Sequence, residues 1–263
     1  MRLATWNVNS LKARLDRVLA WTEAMQPDVL CMQETKVADE AMPELAFRAL
    51  GYEVVHHGPG RWNGVAIASR IGIEDVQAGL PTPDGWTDDG GRFLAATCGG
   101  VRVATIYVPN GRVVGSEFYE EKLVWLDRLN EWLITSCDPA VPMAVVGDYN
   151  VAPTDADVWD PAAVHGATHV SEPERTAVAR MREWGLVDVV RRFHPEPGFF
   201  TWWDYRAGNF HKNLGMRIDH VYVTQPLDAR AVAAERDRDA RKPSTYPGIP
   251  SDHAPLVVDF EGP

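Results

Sequence analysis

The chain is divided into many short strand-like segments, and most of them close on an acid, an amide or a tight turn. Such segments cannot bury a face alone, so they must pair into sheets whose ends lie close together. Residues 3–8 alternate around Trp6, and residues 28–33 carry the apolar centre Val29-Leu30-Cys31-Met32. Strand patterns follow at 52–57, 64–69, 73–78, 92–98 and 101–108, with Gly99-Gly100 as a hairpin signal between the last two. Residues 143–146 form an apolar run behind Pro142, and the last third adds strands at 199–203, 217–224, 227–235 and 254–260.

Helical spacing is rarer. Leu11, Leu15, Val18, Leu19 and Met25 share one face of a helix that Asn9 or Ser10 can cap and Pro27 ends. A short helix around 40–50 stops at Gly51. A long amphipathic helix spans about 116–136, with Phe118, Trp125, Leu129, Trp132 and Leu133 as its buried stripe. Ser171-Glu172-Pro173-Glu174 is a capping-box start to a helix that ends near Trp184-Gly185. Residues 153–169, polar and proline-rich, read as an ordered loop or short turns. Strands thus outnumber helices. The expected fold class is α+β, two mixed or mostly antiparallel sheets face to face with helices outside.

Nothing in the 263 residues resembles a linker, so one domain over 1–263 is expected. At 45% hydrophobic, with ten tryptophans, the chain can fill a sizeable core. No apolar run approaches the roughly 20 residues of a membrane span, and residues 1–17 lack the apolar region of a secretion signal. Cys31, Cys98 and Cys137 have no metal-type spacing and read as reduced thiols of a cytoplasmic protein. The formal charge of −11 gives no support to a polyanion partner, but it leaves room for a local basic rim.

The polar residues are placed selectively. Asn7, Glu34, Tyr107, Asp148, Asn150, Asp219, Asp252 and His253 each fall at or beside a strand end among apolar neighbours. In extended chain, Asp148 and Asn150 share a face. Asp and Asn also simply end strands and build turns, so Gly147-Asp148-Tyr149-Asn150 alone reads equally as turn and as site. If these ends converge, several carboxylates share one cleft, and their repulsion calls for a bound cation or shared protons. Oxygen-dominated ligands favour Mg2+ or Mn2+ over zinc. A histidine that donates to a phosphate needs a carboxylate behind it, and Asp219 is the candidate behind His253. The alternative is a satisfied turn histidine between Pro250 and Pro255.

Seven segments carry a resemblance. Trp6-Asn7-Val8-Asn9, Leu30 through Gln33-Glu34-Thr35-Lys36, Tyr107-Val108-Pro109-Asn110-Gly111, Gly147-Asp148-Tyr149-Asn150, Trp202-Trp203-Asp204-Tyr205-Arg206, Gly215-Met216-Arg217-Ile218-Asp219 and Ser251-Asp252-His253-Ala254-Pro255 occur in the order of the exonuclease III family of DNA repair nucleases. That family lies within the wider endonuclease/exonuclease/phosphatase superfamily. The resemblance implies a four-layered α/β/β/α sandwich with the site at one edge. It implies a Mg2+-dependent nuclease, with Mn2+ as a possible substitute, acting on duplex DNA with abasic sites or 3′ ends. Such an enzyme hydrolyses the phosphodiester 5′ to an abasic site and removes nucleotides 3′→5′. It would be a monomer without membrane association, working on the nucleoid.

The resemblance also assigns roles. Glu34 would be the principal metal ligand, with Asn7 and Asp252 close to the ion and Asp148 and Asn150 beside it. Asp148 would orient and deprotonate the attacking water, and Asn150 would help hold it and the phosphate. Tyr107 and Asn110 would contact the phosphate, and His253, backed by Asp219, would donate to a non-bridging oxygen. Trp202, Met216 and Ile218 match the small apolar pocket that receives a baseless sugar. Trp203, on the other strand face, reads as core. Lys36, Arg112, Arg206 and Arg217, with Arg61, Arg92 and Lys212, are candidate phosphate contacts, each also readable as a solvated charge. His56-His57 and His165 with His169 lack nearby acids at ligand spacing and read as ordinary histidines. Two rivals remain open: a superfamily phosphodiesterase acting on a non-DNA phosphate ester, and a non-catalytic DNA-binding relative.

Overall fold

A computed structural model describes residues 1–81, 86, 88 and 90–262. Among the described residues, twelve strands form two six-stranded sheets. The first contains β1 (Arg2–Asn7), β2 (Val29–Gln33), β3 (Glu53–His57), β4 (Val65–Ser69), β11 (Ala231–Arg236) and β12 (Leu256–Phe260), in the order β11-β12-β1-β2-β4-β3. The second contains β5 (Glu74–Ala78), β6 (Phe93–Cys98), β7 (Val101–Tyr107), β8 (Met143–Asp148), β9 (Leu186–Asp188) and β10 (Asp219–Thr224), in the order β5-β6-β7-β8-β10-β9.

Each sheet has one parallel pair, β1 with β2 and β7 with β8, and the other pairs are antiparallel. A parallel pair needs a crossover. Helix α1 (Leu11–Met25) makes the first crossover and helix α3 (Glu117–Ser136) the second. The chain therefore carries two strand–helix–strand units, one per sheet. Helix α1, with α2 (Glu44–Ala49), covers the outer face of the first sheet through Leu11, Val18, Trp21 and Phe47. Helix α3 and α5 (Glu172–Trp184) cover the second through Trp125, Leu129, Trp132, Leu133, Val178 and Met181. Between the sheets lies a third apolar layer including Leu3, Val29, Cys31, Val103, Val146, Val221 and Val258. This is the expected α/β/β/α sandwich.

The helix–strand reading fails in informative places. Phe118 is 42% exposed and lies under the Arg112 guanidinium, outside the α3 stripe. Residues 199–203 form no regular strand; Trp202 makes isolated bridges to Met216 and His253, tying two loops together. Pro226 opens a short helix, Gln225–Asp228, so β11 begins only at Ala231. Strand β9 and the helix Val189–Phe193 have no counterpart in the sequence reading. They are too short to display a period.

One buried group makes acid stability measurable. His220 on β10 is fully buried, and its Nε2 donates to the Val151 carbonyl at 2.8 Å while Nδ1 has no partner. Burial, with the Arg217 charge, pushes its pKa down to about 4. The folded state therefore binds fewer protons than the unfolded chain between that value and the ordinary histidine range of about 6.5. This contribution to stability is whole above the upper value and is lost as pH falls toward the lower one. Unfolding by urea at pH 7 and pH 5 should show a loss in wild type, at most about 1.4 kcal/mol per pH unit from this proton. His220→Gln, which keeps a donor for Val151, should flatten that part of the slope. Equal slopes would exclude His220 as the source.

Candidate active site

The site is the polar end of the layer between the sheets. Along β1, β2 and β7 the inward residues run from apolar to polar: Leu3, Thr5, Asn7; Val29, Cys31, Gln33; Val103, Thr105, Tyr107. Gln33 Nε2 donates to Thr5 Oγ1 and Thr105 Oγ1, each at 2.9 Å, and joins the two sheets below the site. Strand register then sets one row. Tyr107 pairs with Asp148, and Asp148 pairs with Asp219. The carboxyl ends of all four parallel strands meet at this edge.

Asn7 ties two of the acids together. Its Nδ2 donates to Glu34 Oε1 at 2.9 Å and Asp148 Oδ2 at 2.8 Å. Glu34 reaches the cluster because its φ of 52° turns the chain out of β2. Lys36 Nζ lies 2.7 Å from Glu34 Oε2 and also donates to Asn9 Oδ1 at 2.7 Å. Asn9 Nδ2 donates to Asp252 Oδ1, and Trp202 Nε1 donates to Asp252 Oδ2.

His253 Nδ1 lies 2.9 Å from Asp219 Oδ2, and its Nε2 lies 3.8 Å from Asp148 Oδ2. Burial works against the imidazolium, but Asp219, then Asp148 and Asp252, outweigh it and raise its pKa to about 10. These carboxylates favour the charged form of the ring, in which Nδ1 donates to Asp219 and Nε2 carries a second N–H. Burial pushes Asp148 up to about 7, opposed by His253 and reinforced by Asp219. Burial also pushes the Tyr107 phenol well up, reinforced by Glu34 and Asp148. Asp252 lies below the usual carboxylate range: His253 and the Trp202 and Asn9 donors overcome its burial.

Ligand atoms of Glu34, Asp148 and His253 lie within 4.8 Å of one another. Two of the three are carboxylates, and the ring of the third is engaged by Asp219 through Nδ1. That set suits a hard divalent cation. Asn7 is at the right place, but its Oδ1 accepts from Asn9 N at 3.0 Å, so its nitrogen faces the acids. Asp252, expected near the ion, accepts one hydrogen bond on each oxygen as above, and Asn150 Oδ1 accepts from Asn110 Nδ2 at 3.2 Å.

The turn reading of 147–150 is seen directly. Asn150 N donates to Asp148 Oδ1 at 2.9 Å, an Asx turn, and Asn150 takes a φ of 49°. Its Nδ2 donates to the Val108 carbonyl at 2.9 Å and lies 3.4 Å from Asp148 Oδ2. Tyr149 points the other way into the helix-covered layer. Beside Glu34 and Tyr107 opens a cleft of about 490 Å³ whose walls include Lys36, Trp62, Arg92, Asn110 and Arg112.

Residues 4–253 match the Endonuclease/Exonuclease/phosphatase family. The chain belongs to that family. It is 33% identical to exodeoxyribonuclease III of Haemophilus influenzae, covering 99% of this chain and 100% of that one. Among solved structures it is similar to an AP endonuclease from Archaeoglobus fulgidus, with 40% identity, full coverage of both chains and a TM-score of 0.93. It is equally similar in shape to a 3′ phosphatase from Neisseria bound to product DNA hairpin, with 37% identity, full coverage of both chains and a TM-score of 0.93.

Within this Endonuclease/Exonuclease/phosphatase fold, Trp202 and Met216 are half-buried and pack with Ala152, Val158, Val170 and Ile218. Ile218, 2% exposed, is the floor beneath them and not a lining surface. Trp203 is core, as expected. Arg217 is a correction. It is fully buried and donates to both oxygens of Asp188, at 3.0 and 2.8 Å, and to Asp157 at 2.7 Å, so it cannot reach a phosphate. Its charge is needed inside because two carboxylates are buried with it. Arg206 is exposed but folds onto Asp204. His56 bonds Thr35 and Asp39, and His169 bonds the Asn150 carbonyl, so neither joins a histidine pair at a metal.

Sequence reasoning missed Lys122 and His169, which both reach the Asn150 carbonyl. A signal for Lys122 was present. It falls at helical spacing with Tyr119, Leu126, Leu129 and Leu133, a lysine on the buried face of α3.

Proposed function

We propose that this chain is a Mg2+-dependent DNA repair nuclease, with Mn2+ as a substitute, that cuts the phosphodiester 5′ to abasic sites and trims 3′ ends of duplex DNA. Residues 1–263 act as one catalytic domain, as a monomer in the cytoplasm. The observation that carries this reading is the placement of the His253 ring. It is held by Asp219 and stands 3.8 Å from Asp148, beside Glu34. Family membership and relatives with nuclease and phosphatase activity support it.

Glu34 would hold the cation, with Asp148 and Asn7 beside it. The cation, when bound, supplies Lewis-acid stabilisation of charge on the phosphate. Asp148, poised near neutrality, takes a proton from water as the water oxygen attacks phosphorus. The bond from phosphorus to the 3′ oxygen breaks, and that oxygen leaves as the 3′ hydroxyl after protonation. His253 donates Nε2–H to a non-bridging oxygen whose charge grows in the transition state. Tyr107, Asn110 and Asn150 orient the same phosphate. Lys36, Arg112 and Arg206 meet flanking phosphates, and Trp202 and Met216 face a flipped, baseless sugar above Ile218.

A second reading, release of a terminal 3′ phosphate, rests on the similarity to a 3′ phosphatase. One assay separates them. Three duplexes, with an internal abasic site, a blunt 3′ end and a 3′ phosphate, are incubated with Mg2+. Incision at the abasic site, abolished by chelator and restored by Mg2+ or Mn2+, is the expected result. Activity confined to 3′ ends would replace the abasic reading with the second one, and no hydrolysis of any duplex would refute both. No described helix is long and apolar enough to cross a membrane.

A further inference from the structure

A buried ion pair lies directly beneath the two turns that carry the site amides. Lys122, from α3, and Glu174, from α5, are ion-paired with no side-chain exposure on either. The Lys122 ammonium also donates to the Asn150 carbonyl at 2.6 Å and the Asn110 carbonyl at 3.3 Å. Glu174 accepts from Thr168 Oγ1, His169 N, Ser171 N and Ser171 Oγ. The segment it fixes returns to the same two turns: Thr168 Oγ1 donates to the Asn110 carbonyl at 3.0 Å, and His169 Nδ1 reaches the Asn150 carbonyl at 2.5 Å.

The arrangement is tight. A Cβ on Gly111, whose φ is 82°, would lie 2.9 Å from Lys122 Cδ and 2.9 Å from Thr168 Oγ1. Asn150 has the left-handed conformation that its carbonyl partners help hold. The Asn110 and Asn150 turns come from different strands, and the direct link between their side chains is the 3.2 Å contact. The strands behind them are joined through Asn150 Nδ2 to the Val108 carbonyl and Val108 N to the Asp148 carbonyl, and the ion pair adds a support from below.

We propose that Lys122 and Glu174 are positioning residues for phosphodiester hydrolysis, fixing the spacing of the Asn110 and Asn150 turns from the far side of the sheet. The pair touches no substrate. Its role rests on the functional reading above and extends it to two residues on the outer helices.

Energetics supply the test. Removing one member of a buried pair destabilises strongly, whereas replacing both with neutral side chains is often nearly neutral. The double variant Lys122→Met/Glu174→Gln is therefore compared with wild type under conditions where both are folded, as judged by urea unfolding. The expected result is a fall in kcat of about 10²-fold, the scale of a catalytic group displaced by an ångström, with KM for the duplex nearly unchanged. Amide exchange at Asn150 and Arg112 should also accelerate. If the folded double variant keeps wild-type kcat and exchange, the pair is only structural and the proposal is overturned. If the double variant does not fold, Thr168→Val, which cuts the link from Glu174 to the Asn110 carbonyl and leaves the ion pair intact, is read by the same two measurements. If wild type hydrolyses no duplex, the functional reading fails on its own, and amide exchange still decides whether the pair fixes the turns.

Discussion

An Asp148→Asn variant folds normally, binds duplex DNA with wild-type affinity and turns over about 10²–10⁴-fold more slowly, the usual loss when a positioned acid–base group is removed. The substitution is isosteric, so the site keeps its shape. Its remaining oxygen can still accept from Asn150 N or from Asn7, the two donors that hold Asp148 at 2.9 and 2.8 Å. What disappears is proton affinity. Burial places the Asp148 carboxyl near pH 7, opposed by the His253 charge, so it can both take and release a proton at neutrality. An amide can do neither. Single-turnover kinetics at saturating enzyme isolate this step from binding and release. A variant that retains near-normal single-turnover rates would remove Asp148 from the chemistry.

The second large effect is on stability. Arg217→Met should destabilise the fold by about 3–5 kcal/mol, the cost of leaving buried charge without its partner. Asp157 and Asp188 both have pKa values held down by the Arg217 guanidinium against their burial. Asp157 also accepts from the Thr154 backbone and hydroxyl, and Asp188 caps the helix Val189–Phe193. Methionine removes the cation; Asp188 is left enclosed without an ion pair, and Asp157 keeps only Arg191. Urea unfolding at pH 7 measures the loss. Adding Asp157→Asn and Asp188→Asn should recover part of it, because the stranded charges are gone. A loss under about 1 kcal/mol, the worth of an exposed pair, would show that the triad is not energetically buried. DNA affinity should be unchanged in the folded fraction, since Arg217 does not reach the surface.

Arg217 also shows what the sequence could not convey. Next to Ile218-Asp219 it reads as a basic residue at a site edge, and only its two buried carboxylate partners, 29 and 60 residues away, reveal an internal counter-ion. Residues whose role follows from strand position were legible. Tyr107, Asp148 and Asp219 could be placed because a strand end and a face are local properties. Asn7 was legible as a member of the cluster but not in its orientation, because the amide direction depends on Asn9 and Glu34. Asp252 was readable as a polar strand-end residue, yet its Asn9 and Trp202 donors come from distant segments that no local pattern reveals. Residues 199–203 misled because apolar aromatics that bridge two loops look like a strand. Phe118 misled because Arg112 covers it from outside the helix. Lys122 could have been found, since a lysine on an apolar helix face asks for a buried partner.

Tyr107, Asp148 and Asp219 stand in one row across three hydrogen-bonded strands, so the site depends on parity as well as on residue type. Inserting or deleting one residue within β8 would exchange Asp148 for Gly147 or Tyr149 in that row and present the helix-facing set to the cleft. The sheet interiors can therefore change length only in steps of two without erasing the chemistry. Length is counted by no row in the exposed stretch 112–115 beside the cleft. The part of the molecule that can diverge is thus the part that meets the strands of a substrate, while the hydrolytic row stays locked to its neighbours by backbone hydrogen bonds.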